Sequence, residues 1–141
     1  MTTRDVRGPI VITHEGGLEF AAHVRSHRIV VDQPTHARGG DMGPTPVELL
    51  GAAIGACVAL YVQQFCHTRG LSYEGLRVEV EQHAASIPNR VGRFVVHIVV
   101  PPDVPDYYRE KLERVARGCP VYNTLTHGVE INVLVQQLEP V

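Results

Sequence analysis

The chain has 141 residues, a formal net charge of −2 and 13 scattered basic residues, which predicts one domain over residues 1–141 without the basic stripe of a nucleic-acid-binding protein. Its three cysteines form an odd count with no CxxC pair, so a secreted disulfide framework is not expected and a reducing cytoplasm is favoured. The N-terminus has no apolar run of signal-peptide length, and the apolar run 49–62 is shorter than the roughly 20 residues that span a bilayer, so no membrane association is expected.

The N-terminal third is predicted to form antiparallel strands followed by a long loop. Runs of strand-forming residues alternate with turn-forming residues at the spacing of a hairpin or meander, and they cover Pro9–Thr13, Leu18–Val24 and His27–Val31. Proline, glycine and aspartate are concentrated between Asp32 and Pro44, which indicates a loop.

A long apolar helix is predicted to follow this loop. Thr45 is placed to cap it, Pro46 suits its first position, and Glu48 completes a capping box. The helix is expected to end at residue 68 or 69, before Gly70. Because its sides are apolar nearly all round, we expect it to be buried in a core or between subunits.

The C-terminal half is predicted to contain a hairpin, two helices and a last strand. The hairpin turns through Pro88 and Asn89, and Gly118 and Gly128 end the two helices. In chain order the predicted elements are strands 76–83 and 93–100, an amphipathic helix 103–117, a helix of about two turns that begins at Cys119 and Pro120, and a strand over 129–135.

Two thiols are the main candidates for chemistry. Cys119 stands at a helix start, where unpaired N–H groups and the helix dipole favour an anion, so we expect a lowered pKa for Cys119 if it is exposed. Cys57 lies in the middle of the apolar helix, where surroundings of that kind favour the neutral thiol. A fast nucleophile at Cys57 therefore needs a nearby cation. Arg38 in the preceding loop is the first candidate, with Arg28 and Arg25 behind it.

Each of these residues also has a purely structural interpretation. A buried free cysteine is common in protein cores, so Cys57 could serve packing alone. Cys66 lies nine residues further on, about half a turn around the helix, and is interpreted as structural. Glu48 could act only in the capping box. The eight histidines show no metal-ligand spacing, so neither a metal nor another cofactor is expected.

Two segments carry a resemblance to a known family. GPTPVELLGAAIGAC, which ends at Cys57, and GCPVYNTL, which contains Cys119, are similar to the two cysteine motifs of the OsmC and organic hydroperoxide resistance superfamily. The motifs stand in family order, and the order of elements agrees from about Pro9 to Val135. The GPTPVELL start most resembles the OsmC-like branch, in which it replaces the NPEE of the best-known peroxidases.

The resemblance implies an α+β fold of antiparallel sheets in an intertwined homodimer, with two long central helices back to back and two sites at the interface. It also implies that Cys57 reduces an organic hydroperoxide, that the resulting sulfenic acid is resolved by Cys119 and that a dithiol reduces the disulfide. Arg38 and Glu48 would assist. Apolar side chains, among them Leu60, Tyr61 and Tyr122, would favour organic over hydrogen peroxide.

One departure from the family pattern leaves other functions open. The glutamate that follows the helix-opening proline in the peroxidases is Val47 here, and Glu48 is displaced by about 100° around the helix. A non-catalytic module that senses oxidants or binds an apolar ligand is therefore the alternative. A stable dimer without thiol chemistry is the third possibility.

Overall fold

The computed structural model describes residues 8–140 and has an α+β architecture with antiparallel sheets, as predicted. Single turns of 3₁₀ helix cover Thr35–Ala37 and Asp106–Tyr108. The other elements are β1 (Val11–Gly16), β2 (Glu19–Val24), β3 (His27–Val31), α1 (Pro46–Thr68), β4 (Arg77–Ala85), β5 (Arg90–Val99), α2 (Arg109–Ala116) and α3 (Pro120–His127).

The first sheet has the order β1-β2-β3 and one uncovered apolar face. Ile12 pairs with Ala22, which pairs with Ile29, so these three side chains lie in a row on the face that also carries Phe20. Ile12, Phe20 and Ile29 remain 57%, 37% and 39% exposed. Within the described residues, β1–β3 pack extensively only against one another.

The second sheet is the β4–β5 hairpin, and it covers one side of α1. The two strands turn between Ala85 and Arg90, which confirms the predicted turn through Pro88 and Asn89. Val78 and Val80 of β4 point toward α1, where Gly55 leaves room for the Val80 side chain. This alternation of buried valine and exposed polar residues is typical of a sheet with one face in water.

The start and end of α1 agree with the predicted signals. The Thr45 hydroxyl accepts a hydrogen bond from the Glu48 N–H, and the Glu48 carboxylate accepts one from the Thr45 N–H, so the capping box is confirmed. Gly70, with φ +69°, follows the helix in the left-handed region that favours glycine.

One stripe of α1 forms the centre of the core. Ile54, Val58, Val62 and Cys66 recur every four residues and are buried together with Val104, Leu112 and Cys119. Each fully buried aliphatic side chain of this kind contributes about 1.5–3 kcal/mol. The core therefore joins α1 to α2 and to the start of α3.

The remaining apolar surface of α1 is exposed in the single chain. Val47 and Leu60 are 48% and 49% exposed. By length and composition, α1 could also cross a bilayer, a test that core helices of soluble proteins pass as well. The expected burial of α1 between subunits thus stays a prediction.

Two predicted elements differ from the structure. The predicted helix 103–117 is shortened to α2, because Pro105 holds an extended backbone and a 3₁₀ turn intervenes. The predicted last strand, 129–135, was wrong for the single chain: the segment forms no strand, and Val133 and Val135 are 83% and 94% exposed. A strand needs a neighbouring edge to bond to, and this segment contacts none within the described part of the chain.

Candidate active site

The structure brings the two predicted thiols together. Cys57 is half-buried on α1, and Cys119 caps α3, where its sulfur accepts a hydrogen bond from the Tyr122 N–H at 3.4 Å. Both thiols are free, and Cys57 is close enough to Cys119 to raise the pKa of the Cys119 thiol. Cys57 also packs against the core that contains Cys119, so the two side chains lie in one part of the molecule.

Burial of Cys119 reverses the expected effect of the helix start. The predicted fall in the pKa of Cys119 required an exposed thiol, but Cys119 is fully buried. Burial raises the pKa of Cys119, the neighbouring Cys57 thiol raises it further, and the Tyr122 N–H opposes both only in part. The Cys119 thiol is therefore protonated at neutral pH.

Aromatic side chains border the thiol pair. Tyr61 on α1 and Tyr122 on α3 pack, like Cys57, against the core that contains Cys119. Leu60 points to the uncovered face of α1 instead. Of the three apolar residues expected near the site, the structure thus places two beside the core and one on the surface.

Cys66 is fully buried under the same core. Burial raises the pKa of the Cys66 thiol, and nine residues separate it from Cys57 on α1. This placement agrees with a structural role for Cys66.

Glu48 lies on the other side of α1 from Cys57. Its carboxylate is bonded to the Thr45 N–H at 2.8 Å, and it lines a cavity with Gly51, Gly55 and Gln82. Glu48 and Cys57 are nine positions apart, which is about two and a half turns of helix, so their side chains point to opposite sides of α1. Within one chain, the structure shows Glu48 as a helix cap and does not bring it to the thiols.

The candidate arginines all belong to the N-terminal sheet and its loop. Arg28 pairs with Glu15 at 2.7 Å, Arg25 occupies the β2–β3 turn, and Arg38 is exposed in the loop before α1. Arg38 has a φ of +70°, in the left-handed region. Within residues 8–140, the hydrogen bonds and ion pairs of these three arginines do not include Cys57.

Asp32 is a buried charged residue that the sequence analysis did not single out. It is 2% exposed, and its carboxylate accepts hydrogen bonds from the N–H groups of Gln33, Gly40 and Met42 at 2.7, 3.2 and 3.1 Å. These bonds, that of Gln33 above all, hold the pKa of Asp32 below its ordinary value. An aspartate at the start of a loop rich in glycine was the available signal.

The cavities do not add a cofactor site at the thiols. A cavity of about 830 Å³ lies between β5 and α2, with Ile98, Val104 and Leu112 among its lining residues, and it includes neither Cys57 nor Cys119. Over residues 8–140, no three histidine, cysteine, aspartate or glutamate side chains meet in a way that could hold a metal ion.

Comparisons with known proteins agree with this architecture. The model of the family "OsmC-like protein" matches residues 39–134, which contain both thiols. No curated protein sequence matches the chain significantly.

Several solved structures share the fold. An osmotic stress induced and detoxification response protein from Psychrobacter arcticus 273-4 has a TM-score of 0.76 at 22% identity, over 87% of this chain and 91% of that chain. An OsmC-like protein from Mycoplasma pneumoniae has a TM-score of 0.73 at 19% identity, over 86% and 89%. An organic hydroperoxide resistance protein from Legionella pneumophila has a TM-score of 0.58 at 17% identity, over 84% and 89%.

Proposed function

Because the chain belongs to the OsmC-like protein family, we propose that it is a thiol-dependent peroxidase that reduces organic hydroperoxides. The observation that carries the proposal is that Cys57 packs against the core that contains Cys119 and is close enough to raise the pKa of the Cys119 thiol. The name of the Legionella relative supports the choice of organic hydroperoxides as the substrate class. A structural core has no need of two free thiols in contact, one of them at a helix N-cap.

In the first step, the Cys57 thiolate attacks the distal oxygen of the hydroperoxide. The O–O bond breaks, the alkoxide takes up a proton and leaves as an alcohol, and Cys57 becomes a sulfenic acid. The Cys119 sulfur then attacks the Cys57 sulfur, and the sulfenic oxygen leaves as water with the Cys119 proton. A dithiol reduces the disulfide and restores both thiols. The cytoplasmic location expected from the free thiols would supply that reductant.

The raised pKa of Cys119 suits the resolving role. A Cys119 thiol that stays protonated does not compete with Cys57 for the negative charge. After oxidation, its proximity to Cys57 places the Cys119 sulfur beside the sulfenic acid. The half-buried Cys57 is thus the attacking thiol, and the buried Cys119 is the resolving thiol.

The active unit in this proposal is a homodimer with sites at its interface. A single chain leaves three apolar surfaces uncovered: the first sheet's face with Ile12 and Phe20, the outer face of α1 with Leu60, and the segment 129–135. Large exposed apolar surfaces mark interaction sites. Two copies could cover these surfaces for each other: the segment 129–135 can pair with a sheet edge as a strand, and two apolar faces can pack together.

The dimer also offers a source for the missing cation. Arg28 is already paired with Glu15, whereas the Arg38 side chain is exposed. A second copy that covers the uncovered face of α1 would bring its own N-terminal sheet and loop close to Cys57. We therefore assign the activating role to Arg38, and the dimer geometry decides from which chain it comes.

The test exposes the reduced protein to one equivalent of cumene hydroperoxide or of hydrogen peroxide. Free thiols are counted over time, and mass spectrometry locates any disulfide. We expect a rapid Cys57–Cys119 bond that forms faster with the organic peroxide, is absent in Cys57→Ser and is retained in Cys66→Ser. Survival of both thiols for minutes would refute the peroxidase.

A second candidate function is redox sensing through the same thiols. It is favoured by Val47, which occupies the position of the peroxidase glutamate, and by the engagement of Glu48 in the helix cap. A sensor would form the disulfide once and be reduced slowly. Steady-state consumption of hydroperoxide with excess dithiothreitol separates the two, because only an enzyme continues beyond one equivalent.

A further inference from the structure

The loop between β3 and α1 is folded around the Asp32 carboxylate. One carboxylate oxygen accepts from the Gln33 N–H, and the other accepts from the N–H groups of Gly40 and Met42. The Asp32 N–H in turn donates to the Pro44 carbonyl at 3.2 Å, which closes the base of the loop. A single buried side chain therefore connects the beginning, the tip and the end of this segment.

The tip of the loop has no freely moving backbone. Every N–H from Ala37 to Met42 donates within the loop, to the carbonyls of Gln33, Pro34 and Thr35 or to Asp32. A side chain on Gly39 would collide with the Gln33 carbonyl, at 1.9 Å. Loops are usually more mobile than the elements that they connect, whereas this loop is held in one conformation by its own hydrogen bonds.

Arg38 is the residue that this arrangement presents. Its N–H donates to Thr35, its φ is +70°, and its side chain is exposed. A non-glycine residue persists in the left-handed region only where its surroundings fix it, and such residues are concentrated at functional sites. The buried bonds of Asp32 to Gly40 and Met42 fix the segment directly after Arg38.

We propose that Asp32 is a positioning residue that holds Arg38 in the orientation required to activate the Cys57 thiol. The inference rests on the proposed function, in which Arg38 is the activating cation. Asp32 itself touches neither the thiols nor the substrate in this scheme. It acts by setting where the guanidinium of Arg38 points, and a guanidinium stabilises a thiolate only when it is within a few ångströms.

The test is a double-mutant cycle of Asp32 and Arg38, in which the pH dependence of Cys57 alkylation is the measured quantity. The rate of Cys57 alkylation by iodoacetamide is measured from pH 5 to pH 10 in the wild type, Asp32→Asn, Arg38→Met and the double variant, with peptide mass spectrometry assigning the site. Cys66 serves as an internal control in every sample, because its alkylation reports unfolding. Asp41→Asn is the matched control: it removes the same charge from the same loop, where Asp41 is exposed.

We expect Arg38→Met to raise the midpoint of the Cys57 profile by about one pH unit or more, as removal of a neighbouring cation does. Asp32→Asn should give a substantial part of that shift, and no further shift in the Arg38→Met background. Asp41→Asn should leave the profile in place. If Asp32→Asn does not fold, Gly40→Ala replaces it, because its new methyl group comes 3.2 Å from the Asp32 carboxylate and disturbs the same bonds.

Three results would overturn the inference. If Arg38→Met shifts the midpoint of the Cys57 profile and Asp32→Asn does not, the hydrogen bonds of Asp32 are not needed to position Arg38. Equal shifts by Asp32→Asn in both backgrounds show an effect that does not pass through Arg38. An unchanged profile in Arg38→Met removes Arg38 from the mechanism, yet leaves the Cys57–Cys119 chemistry intact, since the peroxide experiment tests that chemistry separately.

Discussion

Two regions of the molecule differ in how they are held in place. The thiol region, made of α1 and α3 with Cys57 and Cys119, is assembled by a shared core within one chain. The arginine region, made of β1–β3 and the loop 32–44 with Arg38, is ordered by its own hydrogen bonds but packs against little else in that chain. One region is fixed by burial and the other by local bonding.

The difference shows which part of the site a single chain can complete. The two thiols meet because the residues that surround them must bury their apolar surface. The cation has no such reason to approach Cys57 until another surface covers the sheet. In the proposed peroxidase, disulfide formation is therefore a property of one chain, and activation of the thiol is a property of the assembly.

The largest expected effect comes from removing the resolving thiol. Cys119→Ser should release one equivalent of alcohol from cumene hydroperoxide and then stop, because the Cys57 sulfenic acid has no partner. Dimedone labelling followed by mass spectrometry should find the adduct on Cys57. Continued turnover with dithiothreitol at the wild-type rate would show that Cys119 is not needed to resolve the intermediate.

The assembly is the next target. Ile131→Glu combined with Val133→Glu places two carboxylates on one side of a strand formed by the segment 129–135, and burying an unpaired charge costs several kcal/mol. We expect the Kd of the dimer to rise at least about a hundredfold, as measured by analytical ultracentrifugation, together with slower alkylation of Cys57.

Asn132→Glu is the matched control for this experiment, because in a strand formed with the partner residue 132 would point to the side opposite Ile131 and Val133. It should leave the dimer intact. A wild-type chain that sediments as a monomer, or that partitions into lipid vesicles through α1, would contradict the proposed assembly.

A smaller effect is expected in the packing of the thiol region. A methyl group at Gly55 would lie 2.8 Å from Cγ2 of Val80 on β4. Gly55→Ala should therefore lower the free energy of unfolding by about 1–3 kcal/mol through overpacking, although alanine favours a helix. Urea unfolding measures the change. A more stable variant would show that α1 and β4 move apart enough to accommodate the methyl group without loss of stability.

The smallest effect is the response of stability to acid. Hydrogen bonds from His97 and His83 hold the pKa of Glu81 below its ordinary value of 4.5. In acid, Glu81 therefore binds a proton more readily in the unfolded chain than in the folded protein. The stabilisation of the folded state by the Glu81 carboxylate is complete above about pH 4.5, and it is lost as the pH falls through the folded pKa. Between pH 6 and pH 3.5, we expect the free energy of unfolding to fall less in Glu81→Gln than in the wild type. An unchanged loss would assign the acid response to other groups.

The sequence predicted most of the elements because their signals are local. The capping box of Thr45 and Glu48, the glycine after α1 and the N-cap at Cys119 each act within one turn of helix, and each was found where expected. The motifs around Cys57 and Cys119 identified the family before any contact between them was known. The strands β2 and β3 were equally readable, because runs of strand-forming residues between turn-forming residues are also local signals.

What the tertiary structure decided depends on residues that are distant in sequence. The burial of Cys119, which reverses the expected direction of its pKa, results from packing between α1 and α3. The anchor at Asp32 depends on N–H groups eight and ten residues away. The segment 129–135 has the alternation of a strand, but a strand exists only where an edge is present to bond to. Helix caps and turns depend on neighbouring residues and can be predicted from the sequence, whereas burial and strand pairing depend on which distant surfaces meet.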